Sequence, residues 1–241
     1  MRGDDDSAGS RSSPSAYTGS GFIQIANVVE HCLVLGPGDR FVVWSQGCTL
    51  ACPGCMSPHT HDPGDGSRTS IATLAARIID TALDGITLSG GEPFQQAAEF
   101  SDLLDRVRTH RPELTVMCFS GYRIEELLTQ DHRVRGLLMR LDCLVDGRFD
   151  VSRTLDPPLR WRGSSNQRPL LLTDRVASWA AAFEARGVWL EFEVAEDATD
   201  WRGIPPPKFF PRFKQASAAH GVDTGHDFGK PPVVRLGGTV T

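Results

Sequence analysis

The chain has 241 residues and a formal net charge of -5. That length fits one domain with a sizeable core, and the acidic balance argues against a broad nucleic-acid footprint. No run approaches the roughly 18 apolar residues of a membrane span. The start, Met1-Arg2-Gly3-Asp4-Asp5-Asp6, lacks the basic-then-apolar order of a secretory signal. The expected compartment is cytoplasmic, and there clustered cysteines mean metal or redox chemistry before disulfides.

Residues 1–20 are rich in Asp, Ser and Gly and nearly free of apolar side chains. They are expected to be a disordered tail. Structure is expected from Phe22, with a first strand through Val28-Val29 and Cys32-Leu35 pairing with it. Gly36-Pro37-Gly38-Asp39 is a turn signal, and Arg40–Trp44 is the next strand. Ile71, Leu74, Ala75, Ile78, Ile79 and Ala82 repeat at helical spacing, with Thr69 or Ser70 as the cap. Gly85–Leu88 reads as a short strand. A helix follows around Phe100, Leu103, Leu104 and Val107. Leu114–Phe119 is a buried strand, Ile124, Leu127 and Leu128 open a helix, and Leu141–Val145 is a further strand. Pro169–Leu172 is a strand or its lead-in. A helix through Val176, Trp179, Ala180 and Phe183 and a strand at Gly187–Val194 complete the regular part.

Strands alternating with helices predict an α/β fold with a mostly parallel sheet. Polar and glycine-rich motifs fall at the strands' carboxyl ends, where open sheets and barrels place their sites. We read a partial, open (β/α) barrel over residues 21–200. The proline-rich stretch 201–241 is expected to be irregular.

The chemistry concentrates at Cys48-Thr49-Leu50-Ala51-Cys52-Pro53-Gly54-Cys55. Three thiols at C-x3-C-x2-C spacing on a strand-exit loop can face one centre. Gly54 permits close backbone approach, and Pro53 stiffens the turn. Soft thiolates select zinc or an iron–sulfur cluster. A cluster with three protein ligands leaves one iron open. A structural zinc would be closed by His59 or His61. The stretch alone leaves both open. Cys32, Cys118 and Cys143 sit singly among apolar residues and read as core.

The run resembles the cluster-binding loop of the radical S-adenosylmethionine (radical SAM) enzymes, and Ser89-Gly90-Gly91-Glu92-Pro93 resembles their SAM-binding turn. Four further stretches narrow the likeness. Gly36-Pro37-Gly38-x-Arg40, Trp44-x-Gln46-Gly47-Cys48, Val145-Asp146-Gly147-x-Phe149 and Arg162–Arg168 resemble the activating proteins of anaerobic ribonucleotide reductase.

The resemblance implies a [4Fe-4S] cluster on Cys48, Cys52 and Cys55, with SAM on the open iron. It implies that Gly54 and Met56 flank the adenine and that Ser89, Gly90, Gly91 and Glu92 hold the methionyl amine. Glu92 could instead salt-bridge an arginine. Asp146 and Gly147 are expected where the ribose or amino-acid part is approached, with Ser120 and Tyr122 lining the same pocket. The implied activity is reductive SAM cleavage, then hydrogen abstraction from a glycine of a partner glycyl-radical enzyme. The electron would come from a flavodoxin- or ferredoxin-type donor. Radical modification of a peptide or small molecule is the alternative within enzymes. A non-catalytic zinc scaffold is the alternative outside them.

Overall fold

The computed structural model describes residues 21–194 and 199–221. The expected tail at 1–20 and the stretch 222–241 lie outside the described residues. Among the described residues the strands are β1 (Phe22–Val29), β2 (Arg40–Ser45), β3 (Ser67–Ser70), β4 (Gly85–Gly90), β5 (Thr115–Ser120), β6 (Cys143–Asp146), β7 (Arg168–Leu171), β8 (Leu190–Val194) and β9 (Thr199–Gly203). The helices are α1 (Ile71–Asp80), α2 (Ala97–His110), α3 (Ile124–Thr129), α4 (His132–Leu138), α5 (Ala180–Phe183) and α6 (Phe209–Ala219). No helix is long and apolar enough to cross a membrane among the described residues.

Strands β1 to β7 form one sheet in the order β3-β1-β2-β4-β5-β6-β7. The pairs β2/β4, β4/β5 and β5/β6 are parallel, as the alternation with helices predicts. Both flanks are antiparallel. The sheet is therefore mixed and open, with a parallel centre; its pairing does not close a barrel. The flanks follow from connectivity, because β1 reaches β2 and β6 reaches β7 without a crossover helix.

Period-two alternation divides the core. Phe41, Val43, Ile86, Leu88, Val116 and Cys118 face α1, α2 and α4 and join Leu74, Ile78, Phe100, Leu103 and Leu137. Met117, Cys143 and Val145 face the other way, against Trp161, Val176 and Phe183. That second face has no continuous helical layer. It is covered at one end by α5 and elsewhere by loops and the β8–β9 hairpin.

Several boundaries differ from the sequence reading. Cys32–Leu35 is not a strand; β1 pairs with β2, and Arg40 N–H donates to the Cys32 carbonyl as the loop folds back. Of the two residues offered as the cap of α1, Ser70 takes that place, accepting from Thr73 N–H at 3.4 Å. The helix opened by Ile124 is two, because the Asp131 carboxylate accepts from Arg133 and Val134 and starts α4. The stretch after residue 200 is not irregular throughout. It holds most of β9 and the eleven-residue α6. Phe213 stacks on Phe192 at 5.5 Å and Phe210 lies 4.5 Å from Trp201, so aromatic ring contacts override the proline content. Pro211 falls in the first turn of α6, where its missing N–H costs no helical bond.

Arg40 organises the amino end of the parallel strands. Its side chain is fully buried and makes five hydrogen bonds, to Thr87 Oγ1, Pro37 O, Thr115 Oγ1, Ile86 O and Thr115 O. These bonds tie β2, β4 and β5 at one level. A Cβ on Gly36 would lie 2.4 Å from Arg40 Cδ, so the glycine-rich turn is a lid shaped to this side chain. Burial pushes the guanidinium down to about 10, which leaves it charged at neutral pH. We expect Arg40→Ala to cost about 3 kcal/mol or more, because it leaves a void and carbonyls without donors. Arg40→Lys should recover less than half, since one ammonium cannot span the fork. Urea midpoints test this; an Arg40→Ala midpoint equal to that of the parent would refute it.

Candidate functional site

The loops that leave β2, β4, β5 and β6 converge at one edge of the sheet. Register places Trp44 beside Ser89 and Ser45 beside Gly90, so the cysteine loop and the glycine turn start level. They are then bonded backbone to backbone. Gly91 N–H donates to Ser45 O at 2.8 Å and Glu92 N–H to Gly47 O at 2.9 Å. Gly47 N–H reaches Thr60 O and Cys48 N–H reaches His61 O, closing the loop on its return limb. Gln46 fastens the same limb, donating to the carbonyls of His59 and Asp62.

Cys48, Cys52 and Cys55 are half-buried and line one small cavity of about 110 Å3 with Ser89, Gly90, Gly91, Glu92, Gly121 and Gly147. Positive φ at Ala51 (46°) and Gly54 (71°) bends the loop back on itself. Cys55 Sγ accepts from Ser57 N–H at 3.4 Å. Burial raises the thiols of Cys48 and Cys55 above their ordinary value. Among the described residues, no three His, Cys, Asp or Glu side chains close on a single-ion site. In a cluster each thiolate binds a separate iron. The other cysteines are fully buried, with burial holding Cys32 and Cys143 at about 12 and Cys118 well above its ordinary value. Such thiols are inert.

A second cavity of about 520 Å3 adjoins the first and shares Cys55, Ser89, Gly90, Phe119, Phe149 and Gln167 with it. Met56 lines it, as do Trp44 and Leu35 from the open face of the sheet. Its far wall is Asp200–Ile204. Sequence reasoning missed that wall, because nothing local in Asp200-Trp201-Arg202 signals contact with a loop some 150 residues earlier.

The remaining site residues divide. Gly54 lines neither cavity; its Cα faces Val151, where a Cβ would come to 3.3 Å. Asp146, expected beside the ribose or amino-acid part, is fully buried and lines neither cavity. It accepts from Arg168 Nε at 2.8 Å, Arg168 Nη2 at 2.6 Å and Ile124 N–H at 2.8 Å, binding β6 to β7 and starting α3. Three of the carboxylate's roughly four acceptor positions are thereby taken within the fold. The neighbouring Gly147 does line the small cavity. The Arg162–Arg168 loop is ordered by Gln167, which accepts from Gly163 and Ser164 and donates to Gly147 O. His59 and His61 are half-buried, lining the large and the small cavity respectively. They are not the exposed surface pair their loop suggests.

Among the described residues Glu92 pairs with no arginine. Its carboxylate is 1% exposed and accepts from Phe94 N–H, Ser120 Oγ and Gly121 N–H. Burial pushes it up to about 7, and those bonds only partly oppose the shift. Between its ordinary 4.5 and about 7 the folded protein keeps a proton that the unfolded chain releases. Stability therefore falls as pH rises through that window. Glu92→Gln cannot titrate. We expect the variant's unfolding free energy to gain on the parent's by about 3 kcal/mol from pH 4.5 to 7, read from urea titrations of metal-free protein. A constant difference would mean that the carboxylate ionises as it does in the unfolded chain.

A family model described as a 4Fe-4S single cluster domain matches residues 34–170. The anaerobic ribonucleoside-triphosphate reductase-activating protein of Vibrio cholerae serotype O1 is 35% identical over 142 residues, which is 56% of this chain and 89% of that protein. The protein of the same description from Escherichia coli K12 is 36% identical over 143 residues, 56% of this chain and 90% of that one. The structure of QueE from Escherichia coli aligns with 42% of this chain and 53% of its own at 18% identity and a TM-score of 0.34, too slight a likeness to argue from. An iron–sulfur cofactor thus prevails over zinc. The chain belongs to the radical SAM family of anaerobic ribonucleoside-triphosphate reductase-activating proteins, enzymes whose cofactors are a [4Fe-4S] cluster and SAM.

Proposed function

We propose that this chain activates a glycyl-radical enzyme, an anaerobic ribonucleotide reductase, by removing a hydrogen atom from one of its glycines. Bound together, the cluster and SAM supply one-electron reductive cleavage to methionine and a 5′-deoxyadenosyl radical, with a flavodoxin- or ferredoxin-type donor as electron source. The chain's own residues hold and shield these groups. We assign Cys48, Cys52 and Cys55 to three irons, leaving the fourth for SAM. The backbone of Ser89, Gly90, Gly91 and Glu92 is assigned to the methionyl amine. Met56 is assigned to the adenine. Gly54 serves by turning the loop, and Gly147 offers backbone at the next strand.

One observation carries the reading. The three thiols and the Ser89–Glu92 turn share a cavity that adjoins a larger one walled by Trp44, Leu35, Phe119 and Phe149. Apolar walls keep water from a reactive carbon and confine it to the group presented. The acceptor carbon must come within roughly 3–4 Å of the 5′ carbon, so whatever enters has to be slender.

Cys48→Ala, Cys52→Ala and Cys55→Ala should each lose iron and the broad absorbance near roughly 400 nm. Cys32→Ala, Cys118→Ala and Cys143→Ala should keep both. A full iron complement in Cys52→Ala would break the ligand assignment.

The substrate is tested with reduced enzyme, SAM and a reductase labelled with deuterated glycine. We expect deuterium in 5′-deoxyadenosine and a doublet glycyl signal in electron paramagnetic resonance. Label arriving only from a small metabolite or a peptide side chain would replace the activase reading with a biosynthetic one.

A further inference from the structure

Strands β1 and β2 part at one residue pair, and a side chain stands in the gap. Ile25 lies opposite Ser45, so Gln24 and Gln46 are the next antiparallel pair. Residues hydrogen-bonded in this way exchange two bonds. One is kept, with Gln46 N–H donating to Gln24 O at 3.0 Å. The other is replaced by the primary amide of Gln96. Gln24 N–H donates to Gln96 Oε1 at 2.8 Å, and Gln96 Nε2 donates to Gln46 O at 3.0 Å and to Gln24 O at 2.8 Å. The amide acts as an inserted peptide group, with both its donors used, and bridges the strands where direct pairing ends.

Both ends of this bridge lead to the cofactor site. Gln96 closes the 3-10 turn Pro93–Gln96, which directly follows the Ser89–Glu92 turn. It also stands at the start of α2, yet its side chain makes no cap bond to that helix. Gln46 is 4% exposed, and the next residue, Gly47, bends at a φ of 100° into the thiol loop. The amide of Gln46 donates to the carbonyls of His59 and Asp62, and that of Gln24 donates to Asp65 O. Three glutamines thereby fasten β1, the exit of β2 and the return limb of the thiol loop to the segment that opens α2.

We propose that Gln96 is a positioning residue for the meeting of SAM with the cluster. Its amide sets where the chain leaves β1 for the thiol loop, and so holds Cys48 at a fixed offset from the turn assigned to SAM. The backbone bonds from Gly91 to Ser45 and from Glu92 to Gly47 join the two loops. Two bonds one residue apart act as a hinge. The Gln96 amide adds a third tie beyond the end of the turn, and three ties remove the pivot. The proposal rests on the assignment of SAM to Ser89–Glu92 and adds a residue outside both the thiol and the glycine motifs.

The test uses the full chain with its cluster reconstituted and SAM as the probe. Gln96→Met keeps the length of the side chain and removes all three bonds. Iron per chain should match that of the parent. The dissociation constant for SAM, read by equilibrium binding under anaerobic conditions, should rise roughly three- to tenfold, the effect of about one neutral hydrogen bond. The change that SAM makes in the electron paramagnetic resonance spectrum of the reduced cluster should differ from the parent's. Metal-free protein gives a readout without cofactors: the Gln24 amide, its acceptor gone, should exchange with solvent about fivefold faster or more. Gln96→Asn keeps the amide on a stem one methylene shorter and should fall between parent and Gln96→Met in SAM affinity. Gln24→Met removes only the bond to Asp65 O and should bind SAM as the parent does. A parental SAM dissociation constant in Gln96→Met, or in Gln96→Asn should the first variant not fold, would overturn the proposal. So would loss of iron from a folded Gln96→Met, or an equal loss of SAM affinity in Gln24→Met. If the parent holds its cluster and binds no SAM, the assignment of SAM to the turn fails and this proposal with it.

Discussion

Everything at the site depends on a contact with no room for a side chain. The turn after β4 lies directly on the exit of β2. A Cβ on Gly91 would come to 2.3 Å from Gly47 O, and one on Gly90 to 2.7 Å from Ser45 N and O. Gly90 and Gly47 also hold φ near +100°, at 92° and 100°, a conformation other residues rarely adopt. The glycines are thus required twice, once for the bend and once for the approach. Their result is two hydrogen bonds that lock the thiol-bearing loop to the turn assigned to SAM. A metal-binding loop and a ligand-binding loop on separate supports would drift relative to each other. Here they share one, and it is backbone.

The polar residues around this contact separate into those that brace it and those that face the cavities. Arg40 and Asp146 each sit in a short motif with glycine, and Asp146 was expected at the cofactor. The structure gives both to the frame. Arg40 knits the amino ends of the parallel strands, and Asp146 with Arg168 knits their carboxyl ends to β7 and α3. A motif preserves whatever residue types a geometry needs, and a buried hydrogen-bonded charge is as demanding as a ligand contact. Spacing alone cannot tell them apart. The direction of the side chain can, and direction is not written locally.

That distinction sets what was legible beforehand. Helix α1, the parallel centre of the sheet and the thiol loop all follow from periods and spacings of a few residues. The buried cysteines were legible too, because an apolar neighbourhood is a local property. The course of β1 into β2 was not, since Cys32–Leu35 has strand-like composition but is drawn off to close over Arg40. The hairpin and α6 were harder still. Prolines at 205, 206, 207 and 211 argue for irregular chain, yet Phe213 and Phe210 of α6 meet Phe192 of β8 and Trp201 of β9. Aromatic contacts between elements outweigh propensity once the elements meet, and only the folded chain shows that they do.

The hairpin changes how the open face of the sheet should be regarded. The stretch covered by the family model builds the thiol loop, the glycine turn and the helical layer behind them. The chain after residue 170 returns to the opposite face and walls the larger cavity there. Under the proposed function, holding the cofactors and admitting the hydrogen donor would fall to different parts of one polypeptide. Cofactor geometry tolerates little change, because it is fixed by backbone contacts at the limit of close packing. The far wall is made of side chains on a two-stranded ribbon, anchored by a few aromatic rings and one hydrogen bond to Leu33. A wall of that kind can exchange residues without disturbing the cluster loop. Selectivity for what reaches the cavity would accordingly be carried by β9 and its neighbours, while the chemistry stays with the edge of the parallel sheet.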